Sequence, residues 1–587
     1  MRKSVWGAAL MLFLVTFLLY FGFLYPFWGI PFNSQRHGNP PLTPAWALEC
    51  WLWEDDHNTR EYLEELLEGY RKYDVPVRTV IIDSPWSFRY NDFEVDTVLY
   101  PEPELMFSKL KQQGYRVVLW MTPLVNSYNK DLRWKDSKEW HRQIKQKGYL
   151  VQGKQNSWWK GTGSFIDYTH PDAVAWWKGM QQRVFDLGID GWKLDGAATL
   201  FGTDWYGVPV FYKKTSTGWM STRKYMDHYY RDEYLHGLSK NPEFITLSRA
   251  IDRWYHPEGF SPMDASPVNW VGDQEHSWKT SEMLESQDPE ADIALKGIEG
   301  FESAIKSILK SADLGYNIIG SDIAGFSGSQ IPPRLYIRWA QFSAFCGLFM
   351  NGGHGERALW KRSDEELEII RKFSWLHTEL LPYMYHYVVT AHQGGRRLQK
   401  SAKGDYHYYF GENLLVAPIY EDTFLRTVHL PEGRWHYWFD DSEVVVGPRV
   451  ITKEFPLEEY PVFVKEGAII PMNIERNYTG FGEADDAGFL TFLCYPGPDP
   501  AAFTVFREKE ESTQIHLERG GDGKLLIAIK GKAVPFLLRV KMDKAPVKVS
   551  FDNTVLSPEM DYVYEASKKQ LIIRAPEGKV GSYHIYG

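Results

Sequence analysis

Cysteine is nearly absent from the chain: Cys50, Cys346 and Cys494 are the only three in 587 residues. So few, so far apart, exclude a disulfide scaffold, and no Cys/His cluster has the spacing of zinc ligands. Internal repeats and low-complexity stretches are also lacking. There is no basic excess either, because 66 Lys and Arg against 76 Asp and Glu give a net charge of −10. That balance leaves no phosphate-neutralising face and argues against a nucleic-acid partner. With 44% hydrophobic and 24% charged residues, a disordered, collagenous or coiled-coil chain is excluded. What abounds is aromatic: 24 Trp, 35 Tyr and 33 Phe, together 16% of the chain. Such an excess packs cores, and it also stacks on flat apolar faces of the kind sugar rings present.

Charge is wholly missing from one stretch, Ser4 to Gln35, which follows Met1-Arg2-Lys3. It exceeds both the roughly 20 residues of a spanning helix and the h-region of a signal peptide, and no small-x-small cleavage site follows it. Arg2 and Lys3 favour a cytoplasmic N-terminus, and Tyr25, Phe27 and Trp28 fit an interfacial belt. The expectation is a single-pass anchor and linker over 1–39, with the rest outside the cytoplasm, or secreted if the segment is cleaved.

From about residue 44 to about 375, short apolar runs alternate with longer helical patterns. The strand candidates are Trp46–Leu52, Thr79–Asp83, Arg116–Thr122, Gly191–Leu194, Phe244–Ser248, Val268–Val271, Tyr316–Ser321 and Ala344–Met350. Eight strands separated by crossover-length segments predict a (β/α)8 TIM barrel, class α/β, over 40–384, with an insertion near Pro123 to Ile189. Beyond that, short alternating runs with turn signals predict two β-sandwich domains, 385–472 and 473–587.

In such a barrel the working residues sit at the C-terminal ends of strands. Asp83 ends TVIID, Asp195 ends GWKLD, Asp273 ends NWVGD and Asp322 ends IIGSD, with Arg249 just after the fifth strand. One Asp at a strand end is more often a turn or helix cap. Four at matched positions are hard to attribute to capping. Ringed by Trp86, Trp120, Trp192, Trp270 and Phe326, a carboxylate pair suits glycosidic cleavage, where one group attacks or stabilises the anomeric carbon and the other supplies a proton. Side chains two apart on a strand share a face, so Lys193 points with Asp195 and can help keep it ionised.

The segments GWKLDGA, WVGDQEHSW, GSDIAGF, RWAQFSAF and YPVFVKEGAIIP, in this order, resemble glycoside hydrolase family 31. The resemblance runs from about Trp46 to Met472 and implies retaining exo-α-glycosidase chemistry on a barrel followed by two sandwiches. It implies Asp195 as nucleophile and Asp273 as general acid/base. Asp83, Arg249, Asp322 and His354 match polar groups of the innermost sugar subsite. Trp120 and Trp192 match aromatic walls, and Phe326 matches the rim; Asp167 in FIDYTHPD reads as structural. No cofactor and no metal are implied, and the expected partner is an oligosaccharide or α-glycoside.

Three departures from the family pattern bear on the sugar. Only a short linker separates the anchor from the first barrel strand, where the family usually has a β-sandwich. The segment from Arg249 to Asp273 is long, and KLDGAA lacks the acidic residue that often follows the nucleophile. α-Glucose is the default glycone. α-Galactose, α-xylose and glycosyl transfer remain open, as does a non-catalytic tethered carbohydrate-binding or assembly protein.

Overall fold

A computed structural model describes residues 2–24, 38–130, 137–196, 198–201, 210–250, 261–279, 300–328, 330–507, 511–520 and 523–587. Tyr25, Phe27, Trp28 and positions 251–260 of the long segment before Asp273 lie outside the described residues. The N-terminal helix Arg2–Leu19 continues as a π-helical turn, Tyr20–Leu24. Its stretch Val5–Gly22 is, among the described residues, the one helix long and apolar enough to cross a membrane.

Eight parallel strands form the barrel: β1 (Trp51–Leu52), β2 (Thr79–Ile82), β3 (Arg116–Met121), β4 (Gly191–Leu194), β5 (Ile245–Arg249), β6 (Val268–Trp270), β7 (Ile319–Gly320) and β8 (Met350–Asn351). They pair in the order β7-β6-β5-β4-β3-β2-β1-β8. A parallel bridge between Asp322 and Met350, with the Ile323 amide donating to the Met350 carbonyl at 2.9 Å, joins the remaining seam. Most expected strands shift by a residue or so, but three shrink to two residues. The run from Trp46 opens instead as a 3-10 turn, Ala45–Leu48, after Pro44. The run from Ala344 is a series of buried turns after helix Pro333–Ser343, where the Phe345 and Cys346 amides return to the carbonyls of Phe342 and Ser343. Both runs are apolar because they are enclosed on all sides, which hydrophobicity alone cannot tell from a buried strand.

The expected insertion after β3 is a three-stranded antiparallel sheet, Leu124–Asn129, Gly161–Phe165 and Asn156–Trp158, with helix Lys138–Gln146. Asp167 ties its exit to the hairpin at 212–221, accepting from the amides of Thr169 (2.9 Å) and Ser216 (2.6 Å). Helix Pro171–Asp186 precedes β4, and helix Thr222–Lys240 follows it. Their contact holds a wholly buried carboxylate. Glu233 accepts from Tyr168 Oη (2.6 Å), Trp177 Nε1 (3.0 Å), Lys178 Nζ (2.6 Å) and Gln181 Nε2 (2.8 Å). Burial pushes Glu233 up, but Lys178, with Tyr168 and Gln181 adding, outweighs it and holds its carboxyl below the usual range. Glu233→Leu would leave the buried Lys178 ammonium without its carboxylate, with only the Asp232 carbonyl at 3.3 Å to accept from it, so a loss of about 3–5 kcal/mol is expected, read as a lowered thermal midpoint. Glu233→Gln, which keeps neutral hydrogen bonds, is expected to fall between it and the natural protein.

Beyond the barrel, helix Leu381–His392 leads into a six-stranded antiparallel sheet spanning Gln399 to Lys465. Arg338 fastens it to the barrel: buried on helix Pro333–Ser343, its guanidinium donates to the carbonyls of Phe455, Pro456 and Glu459. Two further sheets of five and six strands follow, with Phe536 of one edge-on to Tyr583 of the other. Strand Ile469–Asn473, grouped by the sequence pattern with the proximal unit, pairs with Leu490–Cys494 and so belongs to this distal pair of sheets.

Candidate active site

Alternation along β4 decides which side chains face inward. Lys193 and Asp195 share the inward face, and Trp192 must then point out. It does: Trp192 is fully buried in the helix layer, with ring centroids of Phe93 at 5.6 Å, Phe185 at 5.8 Å and Phe244 at 6.4 Å. The expectation that it walls the sugar pocket is therefore corrected, because strand parity places it outside.

Asp195 is held by groups from three strands. Trp120 Nε1 at the end of β3 donates to Oδ2 at 3.0 Å, and the Gly196 amide donates to Oδ1 at 2.7 Å. Arg249, at the end of β5, donates through Nη2 to Oδ1 at 3.1 Å. Burial alone would push Asp195 up, but Arg249, Lys193, the indole N–H and the amide together hold it below the usual carboxylate range. The same Nη2 of Arg249 donates to Asp273 at 3.1 Å (Oδ1) and 2.9 Å (Oδ2). Sharing one nitrogen at 3.1 and 2.9 Å, Oδ1 of Asp195 and Oδ2 of Asp273 can be no more than about 6.0 Å apart. The Asp273 side chain is 42% exposed whereas that of Asp195 is 12% exposed, so one is enclosed and the other faces the entrance.

The cationic floor is Lys193, two residues before Asp195 on the same inward face of β4. Lys193 Nζ donates to Asp83 Oδ2 at 2.6 Å and sits over the Trp53 ring at 3.7 Å and that of Trp270 at 5.5 Å. Its hydrogen bond thus goes to Asp83, and it acts on Asp195 through space. Trp270 also lies under the Arg249 guanidinium, 4.7 Å from its centroid. Burial disfavours the ammonium, but Asp83, Asp322 and Asp195 more than compensate and push Lys193 above its ordinary range. Asp322 accepts from Trp53 Nε1 at 3.1 Å through Oδ1, while its buried Oδ2 has no hydrogen-bond partner among the described residues. Burial, with Asp273 adding and Lys193 opposing, pushes Asp322 up to about 7. A buried acceptor without a protein donor is what a ligand hydroxyl would satisfy.

At the rim, His354 Nδ1 lies 2.6 Å from Asp56 Oδ1 and Nε2 lies 3.4 Å from Asp55 Oδ2. Its ring is 4.7 Å from Phe326, which stacks on Trp53 at 5.8 Å. Burial and then Asp83 push Asp55 up to about 7, against Lys193 and His354. Trp86 braces the wall from behind by donating to the Trp120 carbonyl at 2.7 Å.

Of the residues read from the sequence, Asp83, Trp120, Lys193, Asp195, Arg249, Trp270, Asp273 and Asp322 converge, Phe326 and His354 stand at the rim, and Trp192 is outside. Sequence reading missed Trp53, Asp55, Asp56, Trp158 and Tyr229. Trp158 stacks on Trp120 at 6.1 Å and 4°, and Tyr229 Oη donates to the carbonyls of Met121 (3.0 Å) and Asp195 (3.1 Å). The acidic run after β1, CWLWEDD, bears the same strand-end signature as the other four carboxylates. Trp158 and Tyr229 have no local signal. Among the described residues no group of three or more His, Cys, Asp or Glu is arranged to hold a metal ion.

The comparisons agree with this architecture. The Glycosyl hydrolases family 31 TIM-barrel domain matches residues 40–288 and 291–387, and the family's C-terminal domain matches 382–470. An α-xylosidase of Emericella nidulans is 25% identical over 476 residues, 74% of this chain and 54% of that protein. An isomaltosyltransferase of Sporosarcina globispora is 24% identical, over 78% of this chain and 44% of that one. The chain thus spans about half the length of these relatives. A family 31 dextranase of Flavobacterium johnsoniae, solved with isomaltotriose, superposes with a TM-score of 0.79 at 21% identity, covering 94% of this chain and 72% of its own. With the barrel, the strand-end carboxylates and a family match across more than half its length, this chain belongs to glycoside hydrolase family 31.

Proposed function

We propose that the protein is a retaining exo-α-glycosidase, with α-glucose as the glycone, tethered through its N-terminal helix and acting outside the cytoplasm. The observation that carries the mechanism is the pair of carboxylates on one arginine nitrogen. Retaining enzymes hold theirs roughly 5–5.5 Å apart, and inverting enzymes need about 6.5–9.5 Å to seat a water between them. A ceiling of about 6.0 Å between Asp195 Oδ1 and Asp273 Oδ2 favours the first.

Asp195, enclosed and held ionised, attacks the anomeric carbon as the glycosidic C–O bond breaks, and Asp273 gives its proton to the departing oxygen. Water entering on the exposed side then loses a proton to Asp273 and attacks the anomeric carbon, and the ester to Asp195 breaks. Asp83, Lys193 and Asp322 bind the glycone hydroxyls. Trp120, Trp270 and Phe326 wall the pocket, and His354 contacts the sugar from the rim. The names of the relatives, an α-xylosidase and an isomaltosyltransferase, support an α-linked pyranoside as substrate.

The test is incubation of the full chain with a panel of aryl α-glycosides, following the released sugar by NMR. Cleavage of the α-glucoside with the α-anomer appearing first is expected. Release of the β-anomer first would sink retention, cleavage of another member alone would replace the glycone, and no release from any would turn the reading toward a binding protein.

A further inference from the structure

The end of the N-terminal helix meets the folded body at the catalytic pole. Tyr212 Oη donates to the Gly22 carbonyl at 2.6 Å, in the closing turn Tyr20–Leu24. Carbonyls in the last turn of a helix lack intrahelical donors, so the hydroxyl supplies what the helix itself leaves open. Tyr212 belongs to the hairpin at 212–221, in the connection from β4 to helix Thr222–Lys240. That connection lies at the C-terminal ends of the barrel strands, the end that carries Asp195.

The inner side of the hairpin fixes it there. Lys213, Thr215 and Met220 are buried. Lys213 Nζ donates to the Phe201 carbonyl at 2.9 Å, the Phe201 ring lies 5.4 Å from that of Tyr229, and Tyr229 Oη reaches the Asp195 carbonyl. The Gln152 amide donates to the Lys214 carbonyl at 2.8 Å, and Asp167 holds the Ser216 amide. Alternation leaves Tyr212 and Lys214 on the outer side, and cross-strand pairing sets Trp219 beside Lys214. Trp219 is 73% exposed and Tyr212 39%. Trp and Tyr are the residues that settle at the headgroup level of a bilayer, and a lysine stem lies along the same boundary with its ammonium in water.

Length sets the level. The apolar stretch Val5–Gly22 has 18 residues, which at roughly 1.5 Å each span about 27 Å, close to the hydrocarbon core of a bilayer. With Arg2 and Lys3 on the cytoplasmic side, Gly22 stands at the far boundary, and so does the side chain that donates to its carbonyl.

We infer that the outer side of this hairpin, Tyr212, Lys214 and Trp219, is a membrane-interface contact that holds the catalytic pole at headgroup level. The inference rests on the anchor reading.

The test uses the full chain in phosphatidylcholine nanodiscs. The three native thiols are buried, so a single added cysteine takes an environment-sensitive nitrobenzoxadiazole dye. One preparation carries Lys214→Cys. The other carries Gln113→Cys, at an exposed position between helix Pro103–Gln112 and β3, which is the opposite pole of the barrel. The dye at 214 should emit further to the blue than the dye at 113, and lipid doxyl-labelled near its headgroup should quench 214 and leave 113 bright. Adding Tyr212→Ser and Trp219→Ser to the Lys214→Cys chain should abolish the quenching without moving the thermal midpoint. Equal quenching at the two positions, or quenching at 214 that survives the substitutions, would overturn the contact. Alkaline carbonate extraction reads the anchor by itself. A chain that resists extraction and shows equal quenching fails only the hairpin contact, and a chain that is stripped fails both.

Discussion

Replacing Asp195 with Ala is expected to lower kcat/KM on aryl α-glycosides by about 10⁵-fold, which at 1.36 kcal/mol per decade is roughly 7 kcal/mol of transition-state stabilisation. The loss should fall almost entirely on kcat, because the attacking oxygen is needed only for chemistry. The fold should survive, since Arg249 retains Asp273 as a partner and Lys193 retains Asp83. Azide, small enough to enter the space left by the carboxylate, should restore turnover and yield a glycosyl azide of inverted, β configuration. An Asp195→Ala variant with near-natural kcat, or one rescued only to the α product, would remove Asp195 from the nucleophile role.

Asp273→Ala should behave differently, and the difference identifies its role. With 2,4-dinitrophenoxide, a leaving group that needs no proton, kcat/KM should change less than about ten-fold, while unactivated sugar leaving groups should lose about 10³–10⁴-fold. The second step then lacks its base, so the dinitrophenyl substrate should give a burst followed by a slow steady state. Azide should accelerate that steady state and give the α-azide, retained. A uniform loss across all leaving groups would mean that Asp273 positions substrate and does not transfer a proton.

Much of the site was legible because it is local. Asp83, Asp195, Asp273, Asp322 and Arg249 each follow a short apolar run, and the barrel rule turns a strand end into a place in space. The Trp192 correction was also within reach, since Lys193 and Asp195 two apart on one strand already oblige Trp192 to face outward. What periodicity could not deliver is the two-residue strands β1, β7 and β8, too short to show alternation. Reading β1 as a run from Trp46 drew attention to its start and away from Asp55 and Asp56 just past its end. Contacts across long intervals were out of reach altogether: Lys193 finds Asp83 110 residues away, and Trp53 finds Asp322 269 residues away. Such pairings depend on how the sheet closes and leave no trace in either residue's neighbourhood.

The shared nitrogen of Arg249 makes the site a relay without moving parts. In the resting protein its Nη2 donates to both carboxyl groups, so its one positive charge is shared between Asp195 and Asp273. On the proposed mechanism, ester formation converts Asp195 to a neutral group, and the undivided guanidinium charge then faces Asp273 alone. That happens at the stage when Asp273 has given its proton away and must remain a carboxylate to receive the next. The covalent state of one aspartate thus sets the field felt by the other, and hydrolysis of the ester resets it.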